Sequence, residues 1–296
     1  MNTTTVIGDV TIHRVVEMQS PFMKVLEFLP ALTPEVLAEN RGWLQSAGAL
    51  DAEDRLIFCF QSYIVRTPRH TVLIDTCVGN DKDRSNTNPA WSNLKLPYLA
   101  DLKLAGYTPE KIDYVLQTHL HIDHVGWNTI LKNGRWVPTF ENARYLIGGI
   151  EWDFYSKFEG RALRDPVEDS VRPIVEQGRA SLIESTHRIT DEIWLEPSPG
   201  HTPGHHHVRI SSRGQEAIIT GDLMHHPIQC GYPEWDVGFD NDGPAAKKVR
   251  RAFCERFADQ DVLIFGTHFA SPSCGKIARQ GDAFRFVAFR EPSSAA

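Results

Sequence analysis

The chain lacks most of the features that would set it apart from ordinary globular proteins. Its five cysteines, Cys59, Cys77, Cys230, Cys254 and Cys274, are odd in number and contain no C-x-x-C pair. That pattern excludes a disulfide framework and a thiolate metal knot, and reads as buried free thiols in a reducing compartment. No apolar run reaches the roughly 18 to 20 residues needed to cross a bilayer. Met1 to Thr5 carries neither the basic nor the apolar stretch of a secretory leader, so a cytoplasmic location with no membrane partner is expected. Positive charge is in deficit: 31 Lys and Arg stand against 38 Asp and Glu, a net charge of -7. That is the wrong sign for neutralising phosphates, so nucleic acid is not an expected partner. There is no repeat, low-complexity tract or Gly/Ser linker, and residues 1–296 are expected to form a single domain.

What is present suffices for a sizeable core: 41% of residues are hydrophobic and 10% aromatic. Val6 to Val16 is β-rich. Thr33-Pro34-Glu35 supplies an N-cap, a proline at N1 and an acidic first turn for a helix to about Ser46. Leu56 to Val65 and Thr71 to Asp75 read as paired strands around a turn at Thr67 to His70. Gly79 to Pro97 is polar and reads as a long loop bearing Trp91. A capped turn at Thr108 to Lys111 feeds an apolar strand that runs to His119. Further strands are expected at Arg144 to Ile147, Ile193 to Glu196, His206 to Ile210, Ala217 to Thr220, Val262 to Phe265 and Phe284 to Phe289. Helices are expected over Val167 to Ala180 and Gly243 to Asp259, the latter with Lys247 to Arg251 as a solvated face. Strand-rich halves with interspersed helices predict an α/β chain of two packed mixed sheets flanked by helices, a four-layer αβ/βα sandwich.

The segment His119-Leu120-His121-Ile122-Asp123-His124 carries the chemistry. In extended backbone, residues i and i+2 project to one face, so His119 and His121 can grip one ion while Leu120 and Ile122 anchor the segment in the core. Asp123 and His124 fall where the chain turns and can address a second ion. Imidazole and carboxylate donors suit zinc and its neighbours. Three later residues each follow a β-like run: His201 in a Gly- and Pro-rich turn, Asp222 after Ala217 to Ile219, and His268 after Val262 to Phe265. In the run His205-His206-His207, His205 is expected to support its loop, with His206 and His207 on opposite sheet faces. His225 or His226 can line the pocket, and Phe22, Trp91, Trp127 and Phe269 are candidate apolar walls for a substrate.

These motifs, in this order and over nearly the whole chain, resemble the metallo-β-lactamase superfamily. The resemblance implies one ion on His119, His121 and His201, a second on Asp123, His124 and His268, and Asp222 bridging both. It implies a supporting role for Asp75. Two divalent ions, zinc foremost, would then hold a water as a bridging hydroxide, and Asp123 would accept its proton and pass it to the leaving group.

Departures from relatives narrow the class. Genuine metallo-β-lactamases lack the bridging Asp. Glyoxalase II enzymes add a C-terminal helical region, whereas the residues after His268 read here as a strand. The tail from Gly266 to Val287 and the segment around His225 look more like the lactonase and methyl parathion hydrolase branches. The expected activity is hydrolysis of a small lactone or ester. The alternatives are a phosphotriesterase-like hydrolase and an iron-dependent redox enzyme on the same fold. A small-molecule substrate is the expected partner, and a homodimer contact through the Phe22 and Trp91 segments is also compatible with the sequence.

Overall fold

The computed structural model describes residues 4–158 and 165–289. In chain order the strands are β1 (Thr4–Ile7), β2 (Val10–Lys24), β3 (Arg55–Arg66), β4 (Thr71–Ile74), β5 (Tyr114–Leu116), β6 (Thr129–Lys132), β7 (Arg135–Pro138), β8 (Arg144–Gly148), β9 (Ala180–Ile183), β10 (Ile193–Pro197), β11 (His206–Ser212), β12 (Gln215–Ile219), β13 (Val262–Phe265), β14 (Cys274–Gln280) and β15 (Ala283–Ala288). One sheet has the order β1-β2-β3-β4-β5-β8-β9 and the other β10-β11-β12-β13-β14-β15. Both are mixed: β4, β5, β8 and β9 run parallel, as do β12 and β13, while the other neighbours are antiparallel. β6 and β7 form a separate hairpin.

The central strands are apolar on both faces because both faces are covered. Val72 and Ile74 of β4 and Ala217 and Ile219 of β12 meet in the core between the sheets. Leu73 turns the other way, onto Tyr98 and Leu102 of the helix Tyr98–Leu104. Ile218 and Ile264 turn onto Phe253 and Phe257 of the helix Gly243–Phe257. The result is helix, sheet, sheet, helix, the expected four-layer sandwich. Among the described residues no helix is long and apolar enough to cross a membrane.

Local chemistry explains several boundaries. The Thr33 hydroxyl caps the helix Pro34–Ser46, accepting from Val36 N–H at 3.3 Å. Asp242 does the same for the helix Gly243–Phe257. The helix expected over Val167 to Ala180 is shorter: a π-turn at Val167–Val171, an α-turn at Arg172–Glu176, then β9 from Ala180. Pro173 offers no N–H to continue the ladder, and Gly178 at φ +67° ends it. Arg250 lies on the buried face of its helix, fully inaccessible, and not on the solvated face expected for it. Arg251 does face solvent, paired with Glu255.

Candidate metal centre

The predicted ligands converge on one rim of the sandwich. β5 stops at Leu116, and His119 to His124 follow it as an irregular turn, not as the strand expected to run to His119. Leu120 packs into an apolar cluster with Val125, Ile147 and Tyr155. Ile122 stays partly exposed and joins no core. Asp222 follows β12, His268 follows β13, and His201 lies in the turn between β10 and β11.

Donor atoms of His119, His121, His201 and Asp222 lie within 4.8 Å of one another, as do those of Asp123, His124 and His268. Asp222 stands between the groups and divides its oxygens. Oδ2 faces Nε2 of His119 at 3.7 Å and of His201 at 3.3 Å. Oδ1 faces Nε2 of His124 at 3.3 Å and of His268 at 3.1 Å. Asp123 reaches His268 at 3.5 Å and His124 at 3.8 Å.

The hydrogen bonding of these rings fits cations. Nδ1 of His124 lies 2.9 Å from Asp75 Oδ2, and Nδ1 of His268 lies 3.0 Å from the Cys59 carbonyl. Both partners can only accept, so each Nδ1 carries the proton and each Nε2 of a neutral ring presents a lone pair. Those two lone pairs face each other across 3.2 Å. His201 gives its Nδ1 proton to Asp240 at 3.1 Å, and its Nε2 lies 2.9 Å from His121 Nδ1. His119 Nε2 and Asp222 Oδ1 are buried with no hydrogen-bond partner. Facing lone pairs and unpartnered donor atoms around one carboxylate suit positive ions.

Electrostatics show the same pull on positive charge in another form: the carboxylates favour, on three of these rings, the protons that bound ions would displace. Burial, followed by the neighbouring imidazoles, holds His119 and His121 well below the usual histidine range. Burial also opposes charge on His124, His201 and His268, but Asp222 and the other nearby carboxylates outweigh it and raise all three, His201 to about 9. Burial likewise opposes charge on Asp222, and His124, His268 and His225 overcome it, so its carboxyl sits well below the normal range.

A scaffold of fixed polar groups holds the ligands. Asp75, at φ +56° after β4, accepts from Thr118 N–H at 2.8 Å and Thr118 Oγ1 at 2.9 Å besides His124. It touches the loop from behind, as the resemblance implied. His205 takes the amide of Asp222 on Nε2. Two supports were not foreseen. Glu151, buried, accepts from Gly204 N–H at 2.7 Å and Leu120 N–H at 3.2 Å, joining two ligand loops. Asp240 orients His201. A lone acidic residue in a helix or loop has no sequence pattern that marks such a role.

The expected pocket residues divide. His225 enters the site, with Nε2 3.2 Å from Asp222 Oδ2. His226 does not; its Nε2 donates to the Ala49 carbonyl at 2.9 Å. His207 packs edge-on against Phe253, whereas His206 lies on the face of β11 shared with Val208 and Ile210. Phe22 stacks on Phe58 at 4.7 Å and lies 6.1 Å from Trp91. Phe58 and Phe60 in turn flank His268 at 5.6 and 5.3 Å, and Phe28 meets His225 at 5.7 Å. Phe22 and Trp91 therefore belong to an aromatic wall against the ligands. Phe28, Phe58 and Phe60, buried in the core cluster beneath it, back this wall, and the exposed Phe239 completes it. Strand residues such as Phe58 and Phe60 read as core, and Phe28 in a helix and Phe239 in a loop carry no pattern that marks a wall.

Trp127 and Phe269 need correction. Trp127 stacks on Tyr98 at 5.2 Å in the outer core, and its indole N–H donates to buried Glu17 at 2.6 Å. Phe269 is buried against Phe286 on the helix side of the second sheet. Trp127 comes three residues after His124 and Phe269 directly after His268, yet each ring packs into the core on the helix-covered side of a sheet.

This fold and this rim of His and Asp donors define a metal-dependent hydrolase. The chain belongs to the metallo-beta-lactamase superfamily, which it matches over residues 61–268. It is 24% identical over 217 residues to an N-acyl homoserine lactonase from Bacillus sp., the match covering 69% of this chain and 79% of the relative. A second N-acyl homoserine lactonase, from Bacillus cereus, is 27% identical over 166 residues, or 56% of this chain and 59% of the relative. Among solved structures, the dizinc quorum-quenching lactonase AidC, in complex with a product, superposes with a TM-score of 0.82 at 20% identity, covering 99% of this chain and 98% of that one. The hydrolase AbOPH of the beta lactamase superfamily does so with 0.80 at 22% identity over the same shares. At these identities the structural likeness establishes the fold.

Proposed function

We propose that the chain is a dinuclear hydrolase of a small lactone or ester with an apolar acyl group, and that N-acyl homoserine lactones are its substrate class. The division of Asp222 between two donor groups carries this reading. One divalent ion would take His119, His121 and His201, and the other Asp123, His124 and His268, with Asp222 shared. Zinc suits the donor set and is the metal named for AidC. When bound, two such ions polarise a substrate carbonyl and bring the pKa of water from about 15.7 towards neutrality.

The protein's own residues supply the rest. Asp222 places negative charge between the ion positions and offsets their repulsion. Asp123, with a side chain 13% exposed, stands at the accessible side of the cluster. Its carboxylate can hold the proton released by water and return it to the departing alkoxide. His225 donates from Nε2 to Asp222, leaving Nδ1, which is buried and has no hydrogen-bond partner, to accept from the substrate. The aromatic wall excludes water and receives an acyl chain.

The test is turnover by zinc-loaded protein of N-acyl homoserine lactones of graded chain length, beside an aryl ester and an organophosphate triester. The expected result is lactone hydrolysis with kcat/KM rising with chain length. Preference for the triester would replace the lactone reading with the phosphotriesterase one. A protein with two ions bound and no hydrolysis of any of the three would defeat both.

A further inference from the structure

We propose that Arg250 is a positioning residue that ties the ligand His201 to the wall of the substrate pocket, so that ion affinity and selection of the apolar group are set together. The inference rests on the metal-centre reading above. Arg250 lies in the helix Gly243–Phe257 on the same face as Ala246, Phe253 and Phe257, and is 0% exposed. A guanidinium buried among apolar side chains is costly unless its N–H groups are paired. Here Nε donates to the Leu223 carbonyl at 3.1 Å. Nη1 donates to the carbonyls of Pro233 at 3.1 Å and Trp235 at 3.0 Å. Nη2 donates to Asp240 Oδ2 at 3.1 Å.

Each acceptor leads to the site. Leu223 adjoins the shared ligand Asp222. The other oxygen of Asp240 receives the Nδ1 proton of His201 at 3.1 Å, which fixes the ring's tautomer and aims Nε2 at the ion position. Main-chain bonds reinforce the pairing, from Asn241 N–H to the His201 carbonyl at 3.0 Å and from Asp242 N–H to the Gly200 carbonyl at 2.8 Å. Phe239, next to Asp240, lies 6.1 Å from Phe28, 6.2 Å from Phe22 and 6.3 Å from His225. One guanidinium thus holds the Asp222 turn, the segment running to Phe239, and the carboxylate behind His201. Lysine, with three donors on a point charge, cannot reproduce this planar, four-acceptor grip.

The experiment titrates zinc into metal-free wild type, Asp240→Asn and Arg250→Lys against a chromophoric chelator, with cobalt(II) absorption spectra to report which ligand set fills. Both variants are expected to weaken one ion by roughly 10- to 100-fold, as loss of a carboxylate behind a ligating His does, and to leave the other ion in place. Arg250→Lys is further expected to raise KM for a long-chain acyl lactone more than for a short-chain one, a split that general loosening would not produce. Unchanged affinity for both ions in Arg250→Lys would overturn the inference, whatever Asp240→Asn does. So would equal loss of both ions with a lower melting temperature of the metal-free protein. If Arg250→Lys does not fold, Arg250→Gln is titrated in its place and the ion constants decide. These constants need no substrate, so they stand apart from any failure of the lactone reading, and a wild type that binds no ion refutes the centre itself.

Discussion

The main-chain N–H of Asp222 donates to Nε2 of His205 at 2.9 Å, while Nδ1 of the same ring is held by Ser198 at 3.1 Å from its carbonyl and 2.9 Å from its hydroxyl. This clamp sets where the shared carboxylate stands, and it requires glycine beside it. Gly221 has φ +54°, and a Cβ there would lie 2.6 Å from His205 Nε2 and 2.9 Å from Thr118 Cβ. Gly221→Ala is therefore expected to cost about 1–2 kcal/mol from the left-handed backbone alone, and to lower ion content through the displaced Asp222. Denaturant unfolding of the metal-free protein and elemental analysis read the two effects; native values for both would remove the clamp from the explanation.

Ion stoichiometry follows from the donor groups. Protein prepared without chelator is expected to hold two ions per chain, and Asp222→Ala to lose at least one together with most turnover. Elemental analysis of both proteins is the check. A wild type at zero after zinc reconstitution, or a variant with native content and rate, would contradict the assignment.

Asp123→Asn separates ligation from proton transfer. Asn retains an oxygen for the ion but cannot accept a proton at neutral pH. At matched ion occupancy, kcat should fall by roughly 10² to 10⁴-fold for a substrate with a poor leaving group. An activated aryl ester, whose phenolate departs unaided, should suffer less. Equal losses on the two would leave Asp123 as a ligand only.

The aromatic wall predicts chain-length selectivity. Removing a ring that buries part of an acyl chain forfeits about 1.4 kcal/mol or more, close to tenfold in affinity. Phe22→Ala and Trp91→Ala should raise KM by about that factor for long acyl chains and little for short ones. Measuring kcat/KM across the lactone series tests it, and flat ratios in both variants would show that these rings only pack.

Lys82 links stability to pH. It is fully buried, donates to Thr129 Oγ1 at 2.6 Å and sits 3.5 Å from the Trp136 ring centre. Burial pushes its pKa from 10.5 down to about 7, against the opposing pull of Asp169. Between those values the unfolded chain binds a proton that the folded chain does not, so stability rises with pH across that window and is least below it. The melting temperature of metal-free wild type minus that of Lys82→Met should climb from pH 7 to pH 10. A flat difference would show that Lys82 titrates normally.

Much of the strand pattern was readable because β4, β12 and β13 are apolar on both faces, and short runs such as Val72-Leu73-Ile74 admit few other homes. The hairpin β6–β7 was equally readable. Asn133 and Gly134 at its turn both have positive φ, and Asn-Gly between β-like runs signals such a turn. β14 left no comparable mark. Its Ile277 packs on the helices, but the exposed Arg279 falls on the same face two residues on, which breaks the apolar/polar alternation, and the strand gains definition only by pairing with β13 and β15.

Residue types and spacing alone marked the candidate donors and grouped His119, His121, Asp123 and His124 in one short segment, because ligands need particular side chains at particular spacings, while the support from Asp75 followed from the family resemblance. It could not decide where rings point. Trp91 and Trp127 look alike in the chain, yet one stands in the wall beside Phe60 and the other stacks on Tyr98 with its N–H on Glu17. Nor could it tell Arg250 from Arg251, adjacent cations of which one is sealed against Asp240 and the other lies on the surface. Those outcomes depend on which backbone carbonyls and carboxylates distant segments bring near. Only packing of the two sheets and their helices supplies those partners, since a buried polar group is stable only where they are in reach.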